Sequence, residues 1–379
     1  MDFSLTDHQK LIRDTVRQFM EAEVRPLVKE LEREEKFPLD LLTKIADMGC
    51  CGMLMPEEWC GPGLDTVSYV LMIEEVARVY TAMSTALGVT NSAVQIPLLQ
   101  FGSEAQKQKY LKRLASGEIL GSFCLTEAAA GSDAAGIQAT AKRDGETYRL
   151  DGAKTWVTNG SVAGVYIVFA KTDPAAGGKG ISVFLVEPTF PGFKIGRHED
   201  KMGQRSSPSV EILFNDCQVP AANRIGDEGQ GMRIALTALD GGRIGIAAQA
   251  VGLAQGALDE SIKYARQRRA FGKTISDFQA IQWMIADMQT ELEAARGLTY
   301  YAAWLKDSGK PMGAAASKAK LYASEMANRV VYKAVQIHGS LGYSRETDVE
   351  RMYRDARVIT IYEGTSEVQR MIIARELLK

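Results

Sequence analysis

The chain has 379 residues, and its 45 Lys plus Arg nearly balance its 47 Asp plus Glu. This length exceeds one ordinary hydrophobic core and predicts two or three domains, while the charge balance lacks the basic excess of proteins that bind nucleic acid nonspecifically. No run of roughly eighteen apolar residues predicts a membrane-spanning helix. Residues 1–7 lack the basic and apolar regions of a leader peptide, so we expect no membrane insertion and a bacterial cytoplasmic protein.

Metal and disulfide chemistry are not indicated. The five cysteines form no C-x-x-C pair, and the three histidines are far apart: Cys50, Cys51, Cys60, Cys124, Cys217, His8, His198 and His338. We therefore expect no metal site, and buried reduced thiols are the better interpretation of the cysteines.

Residues 1–122 carry the spacing of α-helices. An apolar stripe at three- and four-residue intervals runs through the first twenty residues, and Thr6 or Ser4 can cap its start. Pro38 opens a second predicted helix, and residues 67–79 form a third. This part of the chain is predicted to be an N-terminal α-helical domain.

The period then changes from helical to extended between residues 123 and 225. Short runs of β-branched and aromatic residues, at 165–170, 181–186 and 210–214, are separated by clusters of Gly, Pro, Asp and Asn. Because no helical pattern lies between these runs, they predict an antiparallel β domain of the barrel or sandwich type.

Helical spacing returns after Gly229 and continues to the end of the chain. Successive apolar faces predict four or more long helices packed together, so residues 226–379 are predicted to be a C-terminal four-helix bundle. The fold class predicted for the whole chain is α+β, with helical domains on either side of a β domain.

The most informative segment is 361–367, Ile-Tyr-Glu-Gly-Thr-Ser-Glu. Glu363 stands directly before Gly364, where the backbone can turn sharply and direct a carboxylate into a cleft. That placement suits a general base, although a glutamate before a glycine is often only a solvated residue at the end of a helix.

Four further segments combine glycine with polar or aromatic residues. The run 123–132 ends a predicted strand in small residues, and Trp156 lies close to Thr158 and Gly160. The run 268–273 is basic, and 240–243 places two glycines between opposite charges. Each has an ordinary alternative: a turn, a core tryptophan, a solvated charge cluster and helix packing, respectively. Neither G-x-G-x-x-G nor a complete Walker motif occurs, so a nucleotide bound in either way is not expected.

Taken together, these motifs resemble the acyl-CoA dehydrogenases over the full length of the chain. The α, β, α order matches, as do Phe37-Pro38, Pro56-Glu57-Glu58, Thr126-Glu127 with Gly131-Ser132-Asp133, and the 156–160 segment. Members of this family are flavoenzymes that desaturate acyl-CoA thioesters between the α and β carbons. The resemblance implies that Glu363 removes the α proton while the β hydrogen leaves as hydride to FAD, and that electron-transferring flavoprotein then accepts the electrons.

The resemblance also implies roles for individual residues. Those implied to contact FAD are Phe123, Leu125, Thr126, Gly131, Ser132, Trp156, Thr158, Arg268, Phe271, Gln279, Gln336, His338, Gly339, Thr365, Ser366 and Glu367. Those implied to contact the acyl-CoA are Ser132, Asp240, Arg243, Glu363 and Gly364. The chain departs from the family pattern at Ala128, Ala129 and Ser340. In the family the Arg268 region reaches the FAD of a neighbouring subunit, so we expect a homotetramer built as a dimer of dimers.

Particular residues narrow the choice of family member. Some members supply the base from the position of Gly242, which here has no side chain, so Glu363 is the motif-matched base. Members that act on glutaryl-CoA place an arginine in the acyl pocket, but no Lys or Arg occurs between Val79 and Gln106, and a buried unpaired carboxylate is costly. We therefore expect a neutral, apolar acyl tail. The run 239–245 most resembles short-chain, butyryl-type members.

Several alternatives stay open from the sequence. The preferred acyl group could be of medium length, branched or cyclic. An oxidase or nitroalkane-oxidising flavoenzyme of the same fold is a second possibility. A noncatalytic or nucleic-acid-binding relative is a third, although it should show a basic surface that the charge balance does not suggest.

Overall fold

The structure is a computed structural model that describes residues 4–378. Residues 1–3, part of the segment behind the prediction of no leader peptide, and Lys379 lie outside the described residues. Across residues 4–378, none of the helices combines the length and apolar character needed to cross a bilayer.

The first part of the chain is helical, as predicted. A capping box starts its first helix, because the Thr6 hydroxyl accepts the Gln9 N–H at 3.2 Å and the Gln9 side chain accepts the Thr6 N–H at 3.0 Å. The α-helices are α1 (Asp7–Phe19), α2 (Arg25–Glu34), α3 (Leu39–Asp47), α4 (Thr66–Val79), α5 (Thr81–Gly88), α6 (Gln95–Phe101) and α7 (Glu104–Ala115). Two π-helical turns, Met20–Val24 and Val89–Val94, join α1 to α2 and α5 to α6.

The middle of the chain forms one sheet. Its strands are β1 (Leu120–Cys124), β2 (Thr140–Asp144), β3 (Thr147–Thr158), β4 (Ala163–Lys171), β5 (Ile181–Val186), β6 (Phe193–His198), β7 (Ser209–Pro220) and β8 (Arg224–Ile225). Their order is β6-β7-β3-β2-β4-β5-β8, with β1 paired to β4. Most pairs are antiparallel, but β1 and β4 are parallel, and β2 meets β4 in parallel at one residue pair. Parallel pairing with β4 is possible because the chain reverses direction twice, in the β2–β3 hairpin and again before β4, so that β4 runs in the same direction as β1 and β2.

Strand β4 explains the continuous apolar run at 165–170. Its odd-numbered residues, such as Ile167, pack in a core shared with α6 and α7, while its even-numbered residues, such as Val168, pack in a second core with β3 and β7. Both faces are therefore buried, and no polar alternation is required.

The last part of the chain is a helical bundle. It contains α8 (Gly231–Gln267), α9 (Gln279–Asp307), α10 (Gly313–His338), α11 (Asp348–Ala356) and α12 (Ser366–Leu377). A short hairpin of β9 (Arg269–Ala270) and β10 (Lys273–Thr274) lies between α8 and α9. Helix α4 packs against α8 and α9 and so joins the bundle from the N-terminal region.

The predicted boundaries at 122/123 and 225/226 stay predictions. Near them, the structure changes from helix to strand between Ala115 and Leu120, and from strand to helix between Ile225 and Gly231.

Candidate active site

A cavity of about 490 Å³ lies where the three regions meet. Its walls come from α4, α5 and the π-helical turn after α5, from the end of β1 and the loop after it, from the end of β3 and the first half of α8, and from the segment 362–364 and α12. The predicted base, Glu363, is among the lining residues, together with Gly364 and Arg243. The fold therefore brings sequence-distant candidates to one place.

Glu363 adopts a left-handed backbone conformation, with φ of 54°, and Gly364 follows with φ of 89°. A non-glycine residue in this region costs about 1–2 kcal/mol, so the surrounding structure must hold it there. The buried Lys320 donates from Nζ to the Gly364 carbonyl at 2.8 Å. Gln369 donates from Nε2 to the carbonyls of Glu363 and Gly364, at 3.2 and 3.0 Å. Both carbonyls of the turn are thus fixed from outside the cavity.

The Glu363 carboxylate has an unsatisfied oxygen. Oε2 is buried and has no hydrogen-bond partner within the described residues. Burial raises the pKa of Glu363 to about 7, although the positive charges of Arg243 and Lys320 act to lower it. Burial likewise lowers the pKa of Lys320 to about 8. Near neutral pH both protonation states of Glu363 are therefore populated, which suits a group that exchanges a proton.

Helix α8 leaves space for this carboxylate at Gly242. A Cβ atom at Gly242 would lie 2.5 Å from Glu363 Oε2, so any side chain would collide with the carboxylate. One residue on, the Arg243 guanidinium is buried and paired with Asp240. Burial raises the pKa of Asp240, and Arg243 opposes that effect.

A polar network supports the residue before the base. Tyr362 donates its hydroxyl to Oε1 of Gln249. Gln249 in turn donates from Nε2 to the hydroxyls of Ser84 and Thr85, at 2.8 and 2.6 Å. The segment 80–101 adds no charge to the cavity, as expected, but its hydroxyl groups make the wall less apolar than the sequence suggested.

Gln204, in the loop between β6 and β7, extends this network. Its Nε2 donates to the Tyr362 hydroxyl at 3.3 Å, and its Oε1 accepts from Thr85 at 2.6 Å. Its backbone N–H donates to the Asp355 carboxylate. The β domain thus contacts the segment that carries the base.

Trp156 and Thr158 line the cavity from the end of β3. A bulge between Lys154 and Val157 interrupts the pairing with β7, and Trp156 has φ of 59°. The indole is 57% exposed, so the alternative of a core tryptophan is wrong.

The end of β1 and the loop after it supply more of this wall, through Phe123 and through Leu125, Thr126, Gly131 and Ser132, respectively. A buried ion pair holds the loop, because Lys154 Nζ lies 2.6 Å from Glu127 Oε1. Glu127 also accepts the N–H groups of Gln138 and Ala139, at 2.6 and 3.0 Å. The side chain of Glu127 therefore holds the loop in place. These contacts do not involve Ala128 or Ala129, the two alanines that depart from the family pattern.

Three family descriptions match consecutive parts of the chain. They are the acyl-CoA dehydrogenase N-terminal domain over residues 6–118, the middle domain over 122–217 and the C-terminal domain over 229–378. The chain belongs to the acyl-CoA dehydrogenase family. The resemblance inferred from the motifs is thus confirmed, as is the expectation of an oxidoreductase enzyme.

Known members of the acyl-CoA dehydrogenase family match the chain from end to end. Acryloyl-CoA reductase (NADH) of Anaerotignum propionicum is 46% identical, covering 100% of this chain and 96% of its own. The caffeyl-CoA reductase-Etf complex subunit CarC of Acetobacterium woodii is 47% identical, covering 99% of each chain. The structure of butyryl-CoA dehydrogenase from Megasphaera elsdenii superposes with a TM-score of 0.98 at 44% identity and covers 100% of both chains. The predicted fold class is thereby confirmed for this family member.

A second group of predicted FAD contacts does not line the cavity of this acyl-CoA dehydrogenase chain: Arg268, Phe271, Gln279, Gln336, His338 and Gly339. Phe271 is 95% exposed between β9 and β10. His338 stacks on Tyr264 at a ring distance of 4.4 Å. These residues lie at the far ends of α8 and α10 and the start of α9. Within one chain, they do not meet the Trp156 group.

Thr365, Ser366 and Glu367 lie at the start of α12, next to the lining residue Gly364, but are not themselves part of the cavity wall. Thr365 caps α12 by accepting the Val368 N–H at 3.3 Å. The Ser366 hydroxyl is buried without a partner within residues 4–378. Their predicted contacts with FAD stay predictions.

The sequence did not single out two residues that support the base, Gln249 and Lys320, and it gave no role to Tyr362 within the 361–367 segment. Lys320 gave a usable signal, since it lies on the buried stripe of α10 that includes Ala316 and Ala323. A lone cation on an apolar face requires a partner. Gln249 gives no such signal along the chain.

Proposed function

We propose that the chain is an FAD-dependent acyl-CoA dehydrogenase that converts short-chain acyl-CoA thioesters to trans-2-enoyl-CoA. One observation carries the proposal: Glu363, held in a strained turn with a carboxylate oxygen that has no partner within residues 4–378, lines a cavity that Trp156 also lines. A strained residue with an unsatisfied buried carboxylate indicates function more than stability.

The residues present fit FAD. The exposed Trp156 indole offers a face for an aromatic ring, Thr158 offers a hydroxyl, and Gly131 has open space where a Cβ would point. When bound, FAD accepts the hydride that leaves the β carbon of the substrate. Phe123, Leu125, Thr126 and Ser132 complete the proposed wall of this site.

Glu363 performs the proton transfer. Its ionised carboxylate takes the α proton, and burial supports this step because it raises the proton affinity of the group. The Glu363 N–H has no acceptor within the described residues, so it is available to donate to the thioester carbonyl as negative charge develops there. Lys320 and Gln369 keep the turn in place during this change.

The cavity favours an uncharged acyl group of limited length. Its cation, Arg243, is paired through Nη1 with Asp240, while its Nε is buried without a partner within residues 4–378. The carboxylate of glutaryl-CoA would lose water and meet the negative charges of Asp240 and Glu363 there. The butyryl-CoA dehydrogenase relative supports a short chain, and the relative from a reductase-Etf complex supports electron-transferring flavoprotein as the electron acceptor. We also propose a homotetramer in the bacterial cytoplasm.

A substrate series under anaerobic conditions tests this function. Purified holoprotein should lose its flavin absorbance near 450 nm, roughly the usual flavin band, on mixing with butyryl-CoA or hexanoyl-CoA. Values of kcat/KM should fall for longer chains, and glutaryl-CoA should be a poor substrate compared with pentanoyl-CoA. A profile that rises through palmitoyl-CoA would refute the short-chain assignment. Efficient turnover of glutaryl-CoA would refute the argument from charge.

Reduction of 2-enoyl-CoA is the second candidate function. A Glu363 pKa of about 7 means that the protonated acid, which could return a proton to the α carbon, is also populated near neutrality. Two of the relatives are named as reductases. Rates for butyryl-CoA oxidation and crotonyl-CoA reduction, measured at one pH with a redox dye in its oxidised or reduced form, would decide between the directions.

A further inference from the structure

Tyr69 is a buried polar residue of the cavity that the proposed mechanism does not use. It lies on α4 with 1% of its surface exposed and lines the cavity, and its hydroxyl, which interacts with Ser92, makes no hydrogen bond of good geometry within residues 4–378. Ser92, another lining residue, donates its own hydroxyl to the Gly88 carbonyl at 2.7 Å. A buried hydroxyl without a partner reduces stability, so its presence requires an explanation.

Two glycines of α8 fix where this hydroxyl lies relative to the base. A Cβ at Gly242 would come 2.5 Å from Glu363 Oε2, and a Cβ at Gly245 would come 2.7 Å from the Tyr69 hydroxyl oxygen. Positions three apart on a helix lie on one face, with Cβ atoms roughly 5–6 Å apart. The two unpartnered oxygens therefore face the same side of α8, about one helical turn apart.

We propose that Tyr69 is a specificity determinant that hydrogen-bonds an uncharged polar group on the acyl chain, a few carbons beyond the α carbon. This inference rests on the proposed function, because that function places the α carbon at Glu363. A hydroxyl, ether or amide oxygen would satisfy Tyr69. A carboxylate is disfavoured, since Arg243 is paired with Asp240 and Glu363 is itself acidic.

The alternative use of Tyr69 is to hold a water molecule in the cavity. In that case a polar substrate group would gain nothing over a methyl group. The alternative thus differs from the proposal in substrate preference, which kinetics can measure.

The test compares two substrates with equal numbers of heavy atoms in the acyl chain, 4-hydroxybutyryl-CoA and pentanoyl-CoA. Anaerobic flavin reduction is followed with the native holoprotein and with Tyr69→Phe, which removes only the hydroxyl oxygen. We expect the ratio of kcat/KM values, hydroxylated over plain, to fall about two- to tenfold in Tyr69→Phe, the range of one neutral hydrogen bond. The ratio is the readout, because Tyr69 lines the cavity and both rates are measured on the same variant.

Tyr301→Phe is the matched control, because Tyr301 is 52% exposed on α9 and should leave the ratio unchanged. An equal ratio in native protein and Tyr69→Phe, with pentanoyl-CoA still oxidised, overturns the inference and leaves the proposed function standing. Failure of both substrates, and of butyryl-CoA, to reduce the flavin of native protein overturns both. The melting temperature of Tyr69→Phe should not fall, since the hydroxyl has no partner to lose.

Discussion

Two groups of residues were expected to bind one FAD, and they differ in where a single chain places them. The first group, around Trp156 and the loop after β1, lines the cavity beside Glu363. The second group, around Arg268 and His338, lies away from that cavity, with Phe271 almost fully exposed. One chain therefore presents a wall for the reacting ring but not the basic residues expected at the diphosphate.

This difference is the basis for our proposal that a second copy completes the site. An exposed aromatic side chain beside two arginines is a poor solvent-facing feature but a suitable contact for a ligand held by another subunit. Closed homo-oligomers commonly place such surfaces against each other. We therefore retain the predicted homotetramer as a proposal, and the following variants test the two groups separately.

The largest effect is expected from Glu363→Gln, which changes the base beside the first group. The amide keeps the side-chain volume but cannot accept the α proton, so butyryl-CoA should still bind while flavin reduction slows roughly 10²–10⁴-fold. Anaerobic stopped-flow absorbance measures the rate. Glu346→Gln, which changes an exposed residue, is the control. A near-native rate of flavin reduction in Glu363→Gln would exclude Glu363 as the base.

Gly242→Ala should also slow flavin reduction, because it displaces Glu363 without changing its chemistry. The new methyl would overlap the Glu363 carboxylate, which must move, and a displacement of about 1 Å can cost on the order of 100-fold in rate. FAD content should stay near native, because Trp156 and its loop are untouched. Gly297→Ala, where nothing lies within 4 Å of the added Cβ, is the control. Equal rates in both variants would show that the carboxylate is not confined by α8.

Arg268→Ala tests the second group. Loss of a charge-assisted contact, worth about 1.5–3 kcal/mol, should weaken FAD binding roughly 10- to 100-fold, as measured by flavin release on dilution. Arg266→Ala, on an exposed residue of α8, should retain FAD. Unchanged affinity in Arg268→Ala would mean that the second group does not bind the cofactor.

Mixed oligomers sharpen this test. If the site is shared, subunits of Glu363→Gln and Arg268→Ala reassembled together should regain activity in about a quarter of the sites, because the intact residues then come from different chains. Light scattering should show a tetramer. A stable, fully FAD-loaded monomer would contradict the shared site.

The smallest effect is expected from Lys320→Met, because Gln369 still donates to the carbonyls of Glu363 and Gly364, and this effect appears in the pH dependence. Glu363 reacts as the carboxylate, so native activity should rise with pH through about 7 and be lost as the pH falls below it. Removal of the Lys320 cation disfavours the carboxylate, which raises the pKa of Glu363 further and moves the rise by about one pH unit. Lys318→Met, on the exposed face of α10, should leave the profile in place. A shift toward lower pH in Lys320→Met would contradict this role.

Local patterns predicted much of the molecule. Thr6 caps α1, Pro38 precedes α3, and Glu363 stands in a turn at the cavity, each readable from a few neighbouring residues. The parallel pairing of β1 with β4 was not predicted, because pairing partners depend on the path of the intervening hairpin.

The contacts that support the base were also missed. Lys320 donates to the Gly364 carbonyl, which is 44 residues away in the sequence. Tyr362 donates to Gln249, which is 113 residues away. Spacing within one helix carries no information about such partners. Sequence reasoning therefore identified the acid but not the groups that hold it and tune its pKa.

The reach of Gln204 has a consequence for how the protein unfolds. This side chain of the β domain bonds Tyr362, its Oε1 accepts from Thr85 of α5, and its backbone bonds Asp355 of the last helical region. Loss of any one region would therefore leave buried polar groups of the other two without partners, at a cost of about 1–3 kcal/mol each. The three regions differ in secondary structure, but they are not expected to unfold independently. The three regions should melt in one calorimetric transition, and a fragment that lacks the middle strands should not hold Glu363 in its reactive turn.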